Sequence, residues 1–212
     1  MSPNMSATHS TPQPAVQSPI EKVVLIPGFC EPRFLLWPLQ HSLRRHCDDV
    51  SLWRDRMVFR NLDSSVARLS TLLKEPRSGG SIALVTHSFG DWVARRAIAQ
   101  CQSHPVSALV SIAPVFRAGL VPTLLHQTTC NLIPEVAVMG DPVRASCHSH
   151  LDQHVRRLVI WATVDAYVRP VNFDVAPLPK VHRLTGTHMS VAMQPNSLRL
   201  IEQFLFSTNA SV

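Results

Sequence analysis

A serine, an acidic residue and a histidine occur in this sequence in an order that suits nucleophilic catalysis. Ser88 lies at the centre of the segment 86–90 (THSFG), Asp165 follows the apolar run 158–164, and His188 lies in the segment 185–189 (TGTHM). A serine hydroxyl is a weak nucleophile, and a histidine activates it by taking its proton while a carboxylate orients and stabilises the imidazole. These residues therefore predict acyl transfer through an acyl-enzyme on Ser88.

The segment around Ser88 resembles the G-x-S-x-G motif, in which the serine occupies a strained turn between a strand and a helix. Gly90 supplies the second small residue, whereas Thr86 stands where the motif has its first glycine. A serine that only ends a strand and caps a helix is the alternative. The context favours the motif, because a buried strand is predicted directly before it and a helix directly after it.

Other residues of the same types could take these roles. His182 lies within the last predicted strand, while Asp174, Asp152 and Asp141 are loop residues that are expected to be solvated surface charges. We prefer Asp165 and His188 because each follows a predicted strand. They are thus expected at the edge of a parallel sheet where active sites form.

The oxyanion that forms during attack needs two backbone N–H donors. One comes from the residue after the nucleophile, Phe89, and the other from the loop after the first strand, where Gly28 and Phe29 lie. Gly28 could equally be an ordinary turn residue and Phe29 a core aromatic. Both interpretations are compatible with the proposed role, because the donor is a backbone N–H group. This chemistry implies no cofactor.

The elements that must position these residues alternate between strand and helix, which predicts a parallel sheet with helices on both faces. Short apolar runs predict strands at 22–26, 50–53, 81–86, 106–112, 157–163 and 180–184, and helical spacing predicts helices at 34–46, 62–73, 92–100 and 196–206. The 212 residues fit one domain. We expect residues 1–19 to form a disordered tail and residues 20–212 to form the domain.

Residues 114–155 interrupt this alternation. The stretch is apolar and punctuated by prolines, and we predict that it forms a cap or pocket wall between two strands. Its large apolar residues suggest a pocket for an apolar acyl group, although packing in the core would explain them equally well. They are Phe116, Leu120, Leu124, Leu125, Leu132 and Ile133.

Together these segments resemble the α/β-hydrolase family, with small lipases and carboxylesterases as the closest type. The resemblance rests on the run 24–29, the elbow with the following 92–95, the Asp165 loop and the segment 186–188, and in order and spacing it covers about residues 20–206. It implies a three-layer sandwich with a mostly parallel sheet that lacks the family's first antiparallel hairpin. It also implies esterase or lipase-like activity on a small-molecule ester.

Three positions depart from the family pattern. Thr86 replaces the first elbow glycine, Asp91 stands where lipases often carry a further glycine, and Pro27 stands where many members have histidine. These departures bear on the substrate and the rate more than on the fold.

The same residues and the same scaffold also suit other functions. An acyltransferase or a thioesterase would use the same residues, and a non-catalytic binding protein could use the same scaffold. A metal site could be formed by the crowded Cys147, His148, His150 and His154, but their spacing matches no zinc pattern, so we predict no metal.

The overall composition excludes some further classes. The formal net charge is +6, yet the basic residues form no evident cluster in the sequence, so nucleic-acid binding is not expected. No uncharged apolar run reaches the length of about 18 residues that a transmembrane helix needs. Five widely spaced cysteines without a CxxC pair indicate reduced thiols and a cytoplasmic protein. The oligomeric state is left open.

Overall fold

The computed structural model describes residues 18–75, 79–129 and 131–207, which are built around one six-stranded sheet. Its strands are β1 (Ile20–Ile26), β2 (Asp49–Leu52), β3 (Ser81–His87), β4 (Val106–Ile112), β5 (Arg156–Val164) and β6 (Lys180–Thr187). The strand order is β2-β1-β3-β4-β5-β6, and every neighbouring pair is parallel. The predicted parallel sheet is confirmed, and the described residues contain no antiparallel hairpin in it. Most of the predicted tail lies outside the described residues.

Seven α-helices lie in the described part of the chain. They are α1 (Trp37–Leu43), α2 (Leu62–Lys74), α3 (Phe89–Ala99), α4 (Leu120–Thr129), α5 (Pro134–Gly140), α6 (Pro142–Ser146) and α7 (Pro195–Phe206). The predicted helix at 34–46 is a short 3₁₀ turn, Arg33–Leu36, followed by α1. Helix α2 shows why the sequence pattern is informative: the Asn61 side chain caps its first turn, and Val66, Leu69 and Leu73 are buried along one stripe.

The strand order reverses between β1 and β3. The chain moves from β1 to the edge strand β2 and then crosses back to β3, from which it continues to β6. Because such crossovers are right-handed, the reversal puts helices on both faces of the sheet. Helix α1 packs against α7, and α2 packs against α3. In open α/β sheets, the crevice at the carboxyl ends of the strands beside such a reversal is the usual ligand site.

Strand β3 lies at the centre of this arrangement and is buried at all seven residues. Two element boundaries differ from the predictions around it. Helix α3 begins at Phe89, immediately after Ser88, rather than at 92. Strand β6 continues to Thr187 rather than ending at 184, because Thr187 pairs with Val164 of β5. Both differences bring the predicted site residues closer to regular structure.

The segment 114–155 contains α4, α5 and α6 and is joined to the sheet region by a buried charge cluster. Asp91 and Arg95 are fully buried and pair at 2.7 Å, and Asp91 also accepts a hydrogen bond of 2.5 Å from Ser111 Oγ. The Arg95 guanidinium donates to the carbonyl oxygens of Val115 and Ala145, at 2.9 Å each. Asp91, one of the departures from the family pattern, therefore pairs with Arg95, whose hydrogen bonds connect the segment 114–155 to α3.

The pKa values of the cluster reflect burial and pairing. Burial would raise the pKa of Asp91, but the positive charges of Arg95 and Arg157 keep it below its ordinary value. Burial lowers the pKa of Arg157 to about 10, so its guanidinium stays charged at neutral pH.

Two further expectations concern cysteines and membranes. Cys30, Cys47, Cys101 and Cys147 are unpaired, and Cys130 lies outside the described residues. Within the part of the chain that the structure describes, no helix has both the length and the apolar character required to cross a membrane.

Candidate active site

Ser88 occupies a tight turn between β3 and α3. Its backbone angles are φ 52° and ψ −121°, in the region that side chains rarely adopt, and the residue is 6% exposed. Gly90 must be small, since a Cβ there would lie 2.4 Å from the carbonyl oxygen of Ile26. Thr86 fits the first motif position because its hydroxyl donates to Val110 O of β4 at 3.0 Å. Ser88 therefore lies on a strained turn between a strand and a helix, as the motif predicts, and its role as a nucleophile stays a prediction.

His188 and Asp165 lie next to Ser88, each beyond the end of a strand. His188 Nε2 is 2.9 Å from Ser88 Oγ, and His188 Nδ1 is 2.7 Å from Asp165 Oδ2. The second carboxylate oxygen, Oδ1, accepts hydrogen bonds from the backbone N–H groups of Tyr167 at 2.8 Å and Val168 at 3.0 Å. The structure thus brings the three sequence-predicted residues into one chain of hydrogen bonds, while their catalytic role stays a prediction.

The electrostatics of this chain favour a neutral histidine. Burial lowers the pKa of His188 below its ordinary value, against the opposing effect of the Asp165 carboxylate. Burial would raise the pKa of Asp165, but its hydrogen bonds to His188 and to two backbone N–H groups keep that pKa low. At neutral pH, His188 Nδ1–H can therefore donate to ionised Asp165 while Nε2 accepts a proton from Ser88.

Tyr167 is a member of the site that the sequence analysis did not identify. Its ring stacks on the imidazole of His188, with centroids 4.8 Å apart and an interplanar angle of 26°. The sequence contains a signal for this position, because an aspartate after a strand commonly forms a turn in which its side chain accepts hydrogen bonds from the backbone two and three residues later. That turn places the aromatic ring of Tyr167 beside His188.

The predicted oxyanion residues flank Ser88 from two sides. Phe89 is the first residue of α3, and the first N–H groups of a helix have no acceptor within it. Gly28 lies against Ser88, since a Cβ on Gly28 would be 2.8 Å from the Ser88 Cβ. Phe29, which follows, is partly buried against the core. The two backbone amides are thus located near the Ser88 hydroxyl, and their function as oxyanion donors stays a prediction.

A second carboxylate–histidine pair lies beneath the site and was also missed. His87 Nδ1 is 2.8 Å from Glu31 Oε2, and His87 Nε2 is 2.9 Å from the backbone oxygen of His188. Both side chains are 1% exposed. Burial would lower the pKa of His87, but the Glu31 carboxylate raises it above its ordinary value. No sequence motif identifies the pair, because its members are 56 residues apart.

The rival acids and the rival histidine lie elsewhere. His182 is an exposed residue of β6 that lines a groove with residues of α7. Asp141 caps α6 through hydrogen bonds to the N–H groups of Val143 and Arg144. Asp174 is exposed, and Asp152 faces His104 at 3.2 Å. The hydrogen bond from His188 selects Asp165 among these acids.

One group of possible metal ligands occurs in residues 18–75, 79–129 and 131–207, and it is formed by His104, Asp152 and His154. Only His154 belongs to the four-residue set considered from the sequence. His104 Nδ1 accepts a hydrogen bond from Val106 N–H, so Nε2 carries the ring proton and donates to Asp152. A metal on Nε2 would need that proton on Nδ1 instead, so these residues fit a hydrogen-bonded contact better than a metal site.

Comparisons with known proteins identify the fold. The sequence matches no family model and no curated protein. The structure is similar to that of the type II thioesterase BorB from the borrelidin biosynthetic cluster, with a TM-score of 0.60 and 15% identity over 88% of this chain and 93% of that one. It is also similar to the RedJ thioesterase from Streptomyces coelicolor, with a TM-score of 0.52 and 14% identity over 98% and 97%. A third similar structure is polyneuridine aldehyde esterase, with a TM-score of 0.54 and 13% identity over 88% and 98%.

These likenesses each cover 88% or more of both chains. The chain has the α/β-hydrolase fold.

Proposed function

We propose that the protein is a serine hydrolase that cleaves carboxylic esters through an acyl-enzyme on Ser88. The observation that carries this proposal is the unbroken chain of hydrogen bonds from Asp165 through His188 to the Ser88 hydroxyl. A serine with no catalytic role would have no need of a strained turn, a buried imidazole and an ionised carboxylate in line.

The proposed reaction has two halves. Ser88 Oγ attacks the ester carbonyl while His188 Nε2 takes the hydroxyl proton, and the amides of Phe29 and Phe89 stabilise the oxyanion. His188 then returns the proton to the leaving alcohol, which leaves the acyl group on Ser88. Water, deprotonated by His188, then attacks the acyl carbon; the bond to Ser88 Oγ breaks, His188 returns the proton to Oγ, and the acid is released. Asp165 orients the imidazole and stabilises its charged form throughout.

Thioester hydrolysis is the second candidate. BorB and RedJ, two of the similar structures, are thioesterases, whereas polyneuridine aldehyde esterase is an esterase. The same three residues serve either bond, because both reactions pass through an oxyanion and an acylated serine. A thiolate leaves more readily than an alkoxide, but the site residues required are the same. The measured preference between esters and thioesters therefore separates the two candidate functions.

The apolar acyl pocket also belongs to the proposal. Residues Leu120, Leu124 and Leu132 of the segment 114–155 are more than half exposed, at 60%, 51% and 73%. Phe116 is instead buried, with its ring in edge contact with those of Trp161 and Phe173. The exposed leucines support a binding surface for an apolar acyl group, whereas Phe116 is a core residue.

A fluorophosphonate probe tests the proposal directly, since it reacts with activated serines. We expect stoichiometric labelling of the wild type, none of Ser88→Ala, and normal labelling of Ser64→Ala, which alters an exposed serine on α2. Matched p-nitrophenyl esters and thioesters with two-, four- and eight-carbon acyl groups then measure the preference for bond and acyl length.

The possible outcomes separate the candidates. Turnover of thioesters alone would favour the second candidate. A wild type that neither labels nor turns over any substrate would support a non-catalytic binding protein. Labelling that survives in Ser88→Ala would mean that a different serine is the nucleophile.

A further inference from the structure

Arg60 is a buried arginine that contacts both sides of the proposed oxyanion hole. The residue is 2% exposed, and its Nη2 donates a hydrogen bond to the carbonyl oxygen of Gly28. Its guanidinium also lies over the ring of Phe89, 5.9 Å from the centroid. Gly28 precedes one proposed oxyanion donor, and Phe89 is the other.

The contact with Gly28 O bears directly on the orientation of the Phe29 N–H group. The carbonyl group of Gly28 and the N–H group of Phe29 belong to one planar, trans peptide, so they point in opposite directions. A donor that fixes the direction of this carbonyl fixes the direction of the N–H. The hydrogen bond from Arg60 to the Gly28 carbonyl oxygen therefore also constrains the direction of the Phe29 N–H group.

Arg60 is itself held by an acid of the segment 114–155. Glu135 of α5 is fully buried, and its Oε1 accepts a hydrogen bond of 3.0 Å from the Arg60 backbone N–H and lies 3.8 Å from Arg60 Nε. Arg60 Nε in turn donates to the carbonyl oxygen of Arg56 at 2.6 Å. Glu135 of the segment 114–155 thus holds Arg60 on one side, and the guanidinium donates to Gly28 on the other.

The N–H side of Gly28 is held by the other buried pair. Gly28 N–H donates to Glu31 Oε2, the same oxygen that pairs with His87. His87 Nε2 faces the His188 carbonyl, which can only accept, so that nitrogen carries a proton. His87 Nδ1 forms the second hydrogen bond of the ring, to Glu31; burial would lower the pKa of His87, but the Glu31 carboxylate raises it above its ordinary value.

The pairs Arg60–Glu135 and His87–Glu31 are costly to bury, since removing a charge from water costs several kcal/mol per ion. Glu31 Oε1 and Glu135 Oε2 also have no hydrogen-bond partner among the described residues. In other proteins, replacing a buried ion pair by well-packed apolar side chains is often neutral or stabilising. The position of the two pairs, with one pair on each face of a single glycine, points to a role in the geometry of the loop.

We propose that Arg60 and Glu31 are positioning residues that clamp Gly28 from its carbonyl and amide sides and so direct the Phe29 N–H at the oxyanion. This inference rests on the proposed hydrolase function. It extends that function to residues that bind no substrate, and it makes Glu135 the link between the segment 114–155 and the oxyanion hole.

The test measures kcat and KM for the best ester substrate in Arg60→Lys and Arg60→Met. Lysine keeps a positive charge for Glu135 but has one nitrogen and cannot reproduce both side-chain hydrogen bonds. A misdirected oxyanion donor weakens only the transition state, and losing such a donor lowers kcat by about 10²- to 10³-fold. We expect a 10- to 100-fold fall in kcat for Arg60→Lys, and a larger one for Arg60→Met, with KM within about threefold.

The pH profile distinguishes positioning from general disruption. Because Arg60 acts on the oxyanion side, the pH midpoint of kcat/KM should be unchanged in Arg60→Lys. Arg68→Met is the matched control, since Arg68 is an exposed arginine of α2 that pairs with Asp55, and its kcat should match the wild type.

Arg60→Lys covers the case in which Arg60→Met does not fold, because it retains the buried charge. A folded Arg60→Lys with wild-type kcat would overturn the inference while leaving the proposed function intact. A loss that appears in KM, or that shifts the pH midpoint, would also overturn it. If Ser88→Ala were as active as the wild type, or the wild type were inactive, the proposed function and this inference would both fail.

Discussion

Replacing Asp165 by asparagine should nearly abolish activity, because the surrounding backbone dictates how the new amide must point. Oδ1 of Asp165 accepts two backbone hydrogen bonds, at 2.8 and 3.0 Å, while Oδ2 faces His188 Nδ1 at 2.7 Å. In Asp165→Asn, the amide oxygen has to remain with the two backbone donors. The amide NH₂ then takes the place of Oδ2 and donates to Nδ1, which moves the ring proton of His188 to Nε2.

A histidine with its proton on Nε2 cannot act as a base towards Ser88. The opposite amide orientation would leave the backbone N–H groups of exposed Tyr167 and buried Val168 facing an NH₂, at a cost of about 1 and 2 kcal/mol, so it would be populated about 10⁻² of the time. We therefore expect kcat to fall by about 10²- to 10⁴-fold, or about 2.7 to 5.5 kcal/mol of transition-state stabilisation.

The assay is steady-state ester hydrolysis together with the rate of fluorophosphonate labelling. Asp174→Asn, which changes an exposed acid, provides the control and should keep full activity. Circular dichroism and urea unfolding should show that both variants are folded. A folded Asp165→Asn protein within tenfold of the wild-type kcat would refute the reasoning about the hydrogen-bond chain.

Three further outcomes can be measured with the same assays. Asp91→Ala should lower the free energy of unfolding by about 3 to 5 kcal/mol in urea titrations, because it leaves buried guanidinium groups without their counter-charge. Gly28→Ala should lower kcat by about 10²-fold, because its Cβ would lie 2.8 Å from that of Ser88 and must displace Ser88 or the loop of Gly28 and Phe29 that we propose as part of the oxyanion hole. The pH profile of kcat/KM should show its half-maximum below pH 6.5, since the proposed base is neutral His188 and burial lowers its pKa from that ordinary value. Activity should therefore be full at neutral pH and fall as the pH drops through the lowered pKa.

A specific result would contradict each of these three predictions. A stability change within about 0.5 kcal/mol in Asp91→Ala would match an ordinary surface substitution and contradict the burial of that charge. Wild-type kcat in Gly28→Ala would contradict the close packing at the elbow. A half-maximum well above pH 6.5 would mean that His188 is stabilised in its charged form.

The elements that the sequence made predictable are those whose signal is local. Strand β3 is a continuous apolar run because both faces of it are buried, and the helix after Ser88 follows from its own periodicity. The positions of Asp165 and His188 were predictable for the same reason, since each follows a recognisable strand and the carboxyl ends of parallel strands lie at one edge.

The parts that could not be predicted depend on contacts between distant residues. Arg60 reaches Gly28 across 32 positions and Glu135 across 75, and His87 reaches Glu31 across 56. Nothing in the spacing of such residues distinguishes a buried ion pair from separate surface charges. The boundary of β6 was also missed, because its last residues are held by pairing with β5 rather than by an apolar pattern of their own.

The position of β6 has a consequence for how the protein loses activity. It is an edge strand, paired only with β5, and most of its residues are exposed, yet the loop that carries His188 begins where it ends. Edge elements with few buried contacts open locally at a lower free energy than the whole domain unfolds. Fraying of β6 would withdraw His188 from Ser88 while the central strands remain intact. The working lifetime of the protein on warming is therefore expected to follow the local opening of this strand rather than the melting of the core, and hydrogen exchange along β6 would report it.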